Sequence, residues 1–313
     1  MVTFCARVWP FGKRPRQLPP AAPSGWPKAG GWTAAEERRT AVVHGCRRAH
    51  HGPMDIPTPT TVVHYAEHGS GVPVLVLHGG GVDHREPQAC FEPAFDDVPG
   101  YRRIYPDLPG MGRTAAGPEI GGAEDVLEVL LDFADRASGG APYLLAGHSA
   151  GAYYARAMAL AAPQRVAGLA LVCPLLPGDA EVPEHRVLVP GVQSEDRGFT
   201  QYFVLHTRGM LERYERFVAP GAQLADAQAM ERIGRHWELP AAAPSTYEPP
   251  TLLVAGRQDS TVGFAGTMRA AADFPNSTLA VLDGAGHALP HEQPLLLRAL
   301  LVDWFARTRR GAG

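Results

Sequence analysis

Lysine is almost missing from this 313-residue chain: only Lys13 and Lys28 occur, both near the start. Cysteine is scarce as well. Cys5, Cys46, Cys90 and Cys173 stand far apart with no CxxC pair, which excludes a zinc ribbon and a dense disulfide framework. No apolar run approaches the roughly 18 residues of a membrane-spanning helix. The longest, such as 74–77 and Val166–Val172, have strand length. Large net charge is also absent. The balance of −3 argues against a general nucleic-acid binder. What remains is expected to be a soluble, cytoplasmic globular protein with reduced thiols and no membrane span. Its 45% apolar and 19% charged residues supply ample material for a core.

Charge is unevenly spread. Residues 1–53 carry nine Lys/Arg against Glu36 and Glu37, a balance of +7, so the other 260 residues sum to −10. The same stretch holds seven prolines and no apolar period. It cannot bury enough surface to offset its ordering entropy and is expected to be a disordered extension. Arg38-Arg39 and Arg47-Arg48 are twin-arginine pairs, but neither precedes an apolar h-region or a cleavage site. The extension is expected to be a dispensable tail or an over-extended start with Met54 as the natural beginning, with a targeting role as the alternative.

From residue 61 the pattern changes to short apolar runs alternating with helical stretches. Strands are expected at 61–66, 73–78, 102–106, 142–146, Val166–Val172, 251–255 and 278–282, and helices at 122–137, Ala150–Ala161, 262–272 and 294–309. Near-continuous apolar strands bounded by Gly, Pro or Asp are those of a parallel sheet buried on both faces. The alternation therefore predicts an α/β fold. Between 174 and 250 it breaks. Helical patterns at 199–217 and 222–236 predict a helical subdomain, because about 75 residues are too many for a loop. The chain thus divides into an extension (1–53), a core (54–173), a helical insertion (174–250) and the rest of the core (251–313).

Four motifs follow one another in a meaningful order. His78-Gly79-Gly80-Gly81 ends a strand, and Gly147-His148-Ser149-Ala150-Gly151 joins a strand to a helix. Asp259 follows the strand at 251–255, and His287 follows the last strand. A serine at a sharp strand-to-helix turn projects its hydroxyl upward, and tiny neighbours let strand and helix pass closely. Serine is a poor nucleophile at its free pKa, so it needs a base and the base an orienting carboxylate. The order Ser149, Asp259, His287 suits such a sheet, and both partners lie past strand carboxyl ends, where ligands bind. The glycines after His78 could aim a backbone N–H at an oxyanion, Gly80 foremost, with Ala150 N–H as second donor.

On these motifs, together with segment 105–114 and Gly286-His287 followed by Glu292, the chain from about residue 61 onward resembles the α/β-hydrolase superfamily. The resemblance implies a mostly parallel eight-stranded sheet, a helical cap after the sixth strand and a Ser-His-acid triad, with no cofactor. Some members carry the acid after the sixth strand, a place that Asp179 or Glu181 could fill. Ser149 demotes the branches with an aspartate nucleophile, and Val82-Asp83-His84 departs from the proline iminopeptidase pattern. Esterases, thioesterases, lactonases, carbon–carbon bond hydrolases, lyases and perhydrolases stay open. So, more remotely, does a ligand-sensing protein with a vestigial triad.

Other residues receive humbler readings. His78 is expected to close the oxyanion loop, His148 to point beneath the elbow, and Asp107, Gly110 and Gly112 to form turns. Asp83, His84 and Arg85 are candidates for the pocket mouth, where Arg85 could bind a carboxylate. Tyr202 and Phe203, with Leu205, Met210, Tyr214 and Phe217, form an amphipathic stripe whose members pack on the core or roof the pocket. The pairs His50-His51 and His64-His68 lack a carboxylate or cysteine at ligand spacing, so no metal is expected. The expected partner is a small-molecule substrate, and nothing in the sequence sets an oligomeric state.

Overall fold

Eight strands form one sheet: β1 (His50–Pro57), β2 (Val62–Gly69), β3 (Val72–Leu77), β4 (Tyr101–Pro106), β5 (Tyr143–His148), β6 (Val166–Val172), β7 (Thr251–Gly256) and β8 (Ser277–Leu282). Their order is β1-β2-β4-β3-β5-β6-β7-β8. β2 runs antiparallel to β1 and β4, and all other pairings are parallel. This computed structural model describes residues 50–96, 98–178, 181–240 and 247–310. The expected extension, up to residue 49, and Asp179 lie outside the described residues.

Every residue of β5 and β7 is buried, while edge strand β8 is mostly half-buried. Those central strands are apolar throughout because helices cover both faces. Helix Ala123–Ser138 lies against Ala150–Ala161, and helix Arg85–Phe95 lies against Pro294–Arg310. Helix Ala123–Ser138 shows why the local sequence folds as it does. Val126, Val129, Leu130, Phe133 and Ala137 form its buried stripe. The Asp125 carboxylate accepts the Gly121 and Gly122 N–H groups at its start, and Gly139 ends it at φ 63°.

Three elements differ from expectation. β1 starts at His50, inside the stretch assigned to the extension, and its register shifts between His51 and Met54. A bulge on an edge strand tolerates the Gly52-Pro53 pair that hid the strand in the sequence. Helix Arg85–Phe95 was masked by Pro87 and Pro93. Pro87 sits in the first turn, where a helix N–H has no partner to lose. The continuous pattern at 199–217 is broken instead into Arg197–Tyr202, Arg208–Arg213 and a π turn at Tyr214–Val218. The Glu292 carboxylate takes the Val204 and Leu205 N–H groups at 2.6 and 3.2 Å, and Thr207 caps the next helix.

The chain between β6 and β7 packs in two ways. Phe199, Tyr202, Phe203, Tyr214 and Val218 form their own apolar cluster with Val82 and Ala288. These last two flank the glycine loop and His287, so the cluster rests on the loops that hold those residues. Met230 and Ile233, on helix Ala227–Arg235, join the main core instead.

Candidate active site

Ser149 stands between β5 and helix Ala150–Ala161 at φ 54° and ψ −117°, a conformation costing a non-glycine residue about 1–3 kcal/mol. Its surroundings hold it there. Ser149 N–H donates to Val172 O at 3.0 Å, and Ser149 O accepts the Tyr153 and Leu175 N–H groups. A Cβ on Gly147 would run into the backbone of Gly151, and one on Gly151 into the carbonyls of Leu77 and His78. The two glycines are therefore fixed by close backbone approach.

His287 Nδ1 lies 2.8 Å from Asp259 Oδ2, and Nε2 lies 2.8 Å from Ser149 Oγ. A carboxylate only accepts, so Nδ1 carries the proton and Nε2 offers its lone pair to the serine hydroxyl. Asp259 Oδ1 accepts the Thr261 and Val262 N–H groups at 2.9 and 3.0 Å. Burial works to raise the Asp259 pKa, but His287 and these two donors hold it below the ordinary value. All three side chains are buried. Glu181, the other acid weighed for this place, is exposed, and its backbone lies against Gly263.

The glycine loop is fixed from below by His78. Its Nε2 accepts the Leu108 N–H at 2.9 Å, so Nδ1 bears the proton and donates to Gly79 O at 2.7 Å. Burial lowers the His78 pKa, in keeping with a neutral ring. Gly79 passes so near the elbow that a Cβ there would stand 3.5 Å from Ser149 Cβ. Gly80 follows at the turn, and Ala150 begins the helix whose positive end faces the serine.

Asp83, His84 and Arg85 lie past that loop, but their polar atoms are engaged within the protein. Arg85 forks onto buried Asp83, with Nε 2.9 and 3.0 Å from its two oxygens. His84 places both its backbone N–H and Nδ1 on Asp107 Oδ1, and Arg113 N–H takes Asp107 Oδ2. A substrate carboxylate would have to displace Asp83 from Arg85. Gly112 is tied to the same group, since a Cβ there would strike the Asp107 carboxylate. Tyr202 stands edge-on to His287 with ring centroids 5.8 Å apart, and Phe203 is buried behind it against His291.

One constellation escaped the sequence reading. Glu86, Cys90 and His291 meet beside His148, with Arg213 donating to His291 Nδ1 at 3.2 Å and to Cys90 Sγ at 3.7 Å. His148 Nδ1 faces the same Glu86 at 3.4 Å. The spacing of Glu86 and Cys90, one helical turn apart, becomes a signal only once helix Arg85–Phe95 is recognised. Two further groups of ligand-type atoms gather within 4.8 Å, His148–Cys173–His287 and His64–His84–Asp107. In the first, both His287 nitrogens are engaged by Ser149 and Asp259. In the second, hydrogen bonds occupy His84 Nδ1 and both Asp107 oxygens, while the buried His64 Nε2 has no partner. In the Glu86 group, the Arg213 guanidinium already donates to His291 Nδ1 and Cys90 Sγ.

The alpha/beta hydrolase family model matches residues 74–300, a span that contains Ser149, Asp259, His287, the glycine loop and the Glu86 group. Among curated proteins, the chain is 31% identical over 258 residues to the dihydrolipoyllysine-residue acetyltransferase component of the acetoin cleaving system of Cupriavidus necator, covering 76% of this chain and 65% of that one. It is 31% identical over 105 residues to the pimeloyl-[acyl-carrier protein] methyl ester esterase of Legionella pneumophila, covering 33% of this chain and 38% of that one. The chain thus spans less than two thirds of either relative. Among solved structures, an alpha/beta superfamily hydrolase from Oenococcus oeni PSU-1 superposes with a TM-score of 0.75 at 24% identity, covering 82% of this chain and 99% of that one. The family match, the strand order and the likeness in fold agree: this chain belongs to the alpha/beta hydrolase family.

Proposed function

We propose that the protein is a serine hydrolase that cleaves an ester-like bond of a small molecule through an acyl-enzyme. The carrying observation is the chain Ser149 Oγ–His287–Asp259, with 2.8 Å at each link. Ser149 Oγ attacks the carbonyl carbon as His287 Nε2 takes its proton, and Asp259 stabilises the imidazolium. The N–H groups of Gly80 and Ala150 hold the oxyanion. When the tetrahedral intermediate collapses, the bond to the leaving alcohol breaks and His287 returns the proton to it. Water, deprotonated by His287, then releases the acid. The curated relative from Legionella, by its name, acts on a methyl ester, which supports an ester over other acyl bonds.

On this reading residues 174–250 are the cap, and the cluster around Tyr202 and Phe203 roofs the acyl pocket. Ser149→Ala and His287→Ala should each abolish turnover of p-nitrophenyl esters while leaving the thermal midpoint within a few degrees. Residual turnover near wild type in either variant would end the assignment. A burst of p-nitrophenol equal to the enzyme concentration separates an acyl-enzyme from lyase chemistry, which leaves none.

A further inference from the structure

The site holds a buried charged group that the triad chemistry does not use. Glu86, His148 and His291 are each almost fully buried. His148 precedes the nucleophile, and its Nε2 lies 3.0 Å from the carbonyl oxygen of His287. A carbonyl only accepts, so Nε2 carries a proton. The other nitrogen, Nδ1, lies 3.4 Å from Glu86 Oε1. Were it bare, two lone pairs would face each other between almost fully buried side chains, which a low-dielectric interior penalises. The arrangement is relieved when Nδ1 also carries a proton, making His148 an imidazolium beside a carboxylate.

The other neighbours of Glu86 agree with this count. Tyr202 OH donates to Glu86 Oε1 at 3.1 Å. Arg213 Nε–H needs a bare His291 Nδ1 to donate to, so His291 is neutral and turns its Nε2–H toward Glu86 Oε1 at 3.4 Å. Glu86 Oε1 thus accepts the Tyr202 hydroxyl and has an imidazole nitrogen of His148 and one of His291 at 3.4 Å, His148 Nδ1 having no other partner. Burial alone would raise the pKa of Glu86 and lower that of His148, yet the charge of each on the other reverses both directions. The remaining titratable groups nearby are Asp259 and His287 of the triad, His78 of the glycine loop, and Cys90 and Cys173. Burial holds both thiols up and neutral.

This pair joins three parts of the site. His148 holds the carbonyl of the base, and Gly79 of the glycine loop packs against His148 Nδ1. Tyr202 joins Glu86 to the segment between β6 and β7. We propose that Glu86 and His148 form a charged positioning pair that fixes the backbone of His287 and, through Tyr202, holds the inserted segment closed over the triad. The proposal rests on the serine-hydrolase reading, because the group it positions is the base of that reading. Glu86 and His148 are positioning residues; neither touches the scissile bond.

The test combines spectroscopy, exchange and kinetics on the full chain. With 15N-histidine labelling, wild-type protein at pH 7 should show His148 with both ring nitrogens protonated, and Glu86→Gln should return it to a neutral ring. Amide exchange across 199–205 should speed up at least tenfold in Glu86→Gln and in Tyr202→Phe. Per active site counted by fluorophosphonate titration, Glu86→Gln should lower kcat on the order of tenfold to a hundredfold with little change in KM, the mark of a displaced base. A neutral His148 in wild type overturns the proposal, even if Glu86→Gln fails to fold. Unchanged exchange and kcat in Glu86→Gln overturn it as well. Wild-type protein with the imidazolium and the exchange effect, but without ester turnover, would sink the hydrolase reading and leave the pair standing.

Discussion

Ser149 is the residue on which the site turns, and its geometry is bought with two glycines. A Cβ at Gly151 meets backbone carbonyls that cannot move aside, whereas one at Gly139 meets nothing. Gly139 requires only a left-handed φ of 63°. Gly151→Ala should therefore cost roughly 3 kcal/mol, and Gly139→Ala nearer 1–2 kcal/mol from backbone strain alone. Urea unfolding of the two variants checks the difference. Equal costs would mean that close strand-to-helix approach is not what fixes the elbow. At this scale much of the site was legible, because Ser149, Asp259 and His287 each sit where a strand ends and local pattern marks strand ends well. Glu86 and His291 were not, since nothing near either in sequence shows that they meet. Asp83, His84 and Arg85 look free in sequence, and only the structure shows their partners on each other and on Asp107.

Among the elements, the inserted segment departs most from its sequence pattern. Its apolar spacing suits one long helix, but Glu292 claims the N–H groups of Val204 and Leu205 and also that of Gly286, beside His287. One carboxylate thereby joins the segment to the base loop, a tertiary contact that outweighs local periodicity and that no periodicity can announce. The same holds for helix Arg85–Phe95, which its prolines concealed although Phe91, Ala94 and Phe95 bury a full face. Phe203 is the centre of the segment's separate cluster. Phe203→Ala should remove about 3–5 kcal/mol from that cluster, seen as faster amide exchange across 199–218 with slow exchange kept in β5 and β6. Exchange accelerated equally in β5 and β6 would show that the segment and sheet unfold as one unit.

For the whole molecule, buried carboxylates set the response to acid. Burial opposes charge on Asp259, Glu86 and Asp107, but His287, His148 and His84 hold all three below their ordinary pKa values. A depressed native pKa contributes stability that is complete above the unfolded value and is lost as pH falls through the native one. Glu292 has the opposite sign. Burial pushes it up to about 6 from 4.5, so its contribution is complete below 4.5 and lost as pH rises through about 6. The urea midpoint should fall steeply below about pH 4, and Glu292→Gln should remove the part of any decline between pH 5 and 7 that this group causes. A midpoint that stays flat from pH 5 to 3 would contradict the assigned pairs. Across the described residues no helix is long and apolar enough to cross a membrane. The α/β class and the buried central strands were readable because near-continuous apolar runs alternating with helical stretches mark two-sided burial. Edge strand β1 was not, because a bulge at Gly52-Pro53 erases its alternation.

The central claim is that Ser149 is an activated nucleophile. Treating the protein with a fluorophosphonate and locating the adduct by mass spectrometry tests it most directly. The account predicts one adduct, on Ser149, and none in His287→Ala. An unlabelled protein, or an adduct on another residue, would contradict it.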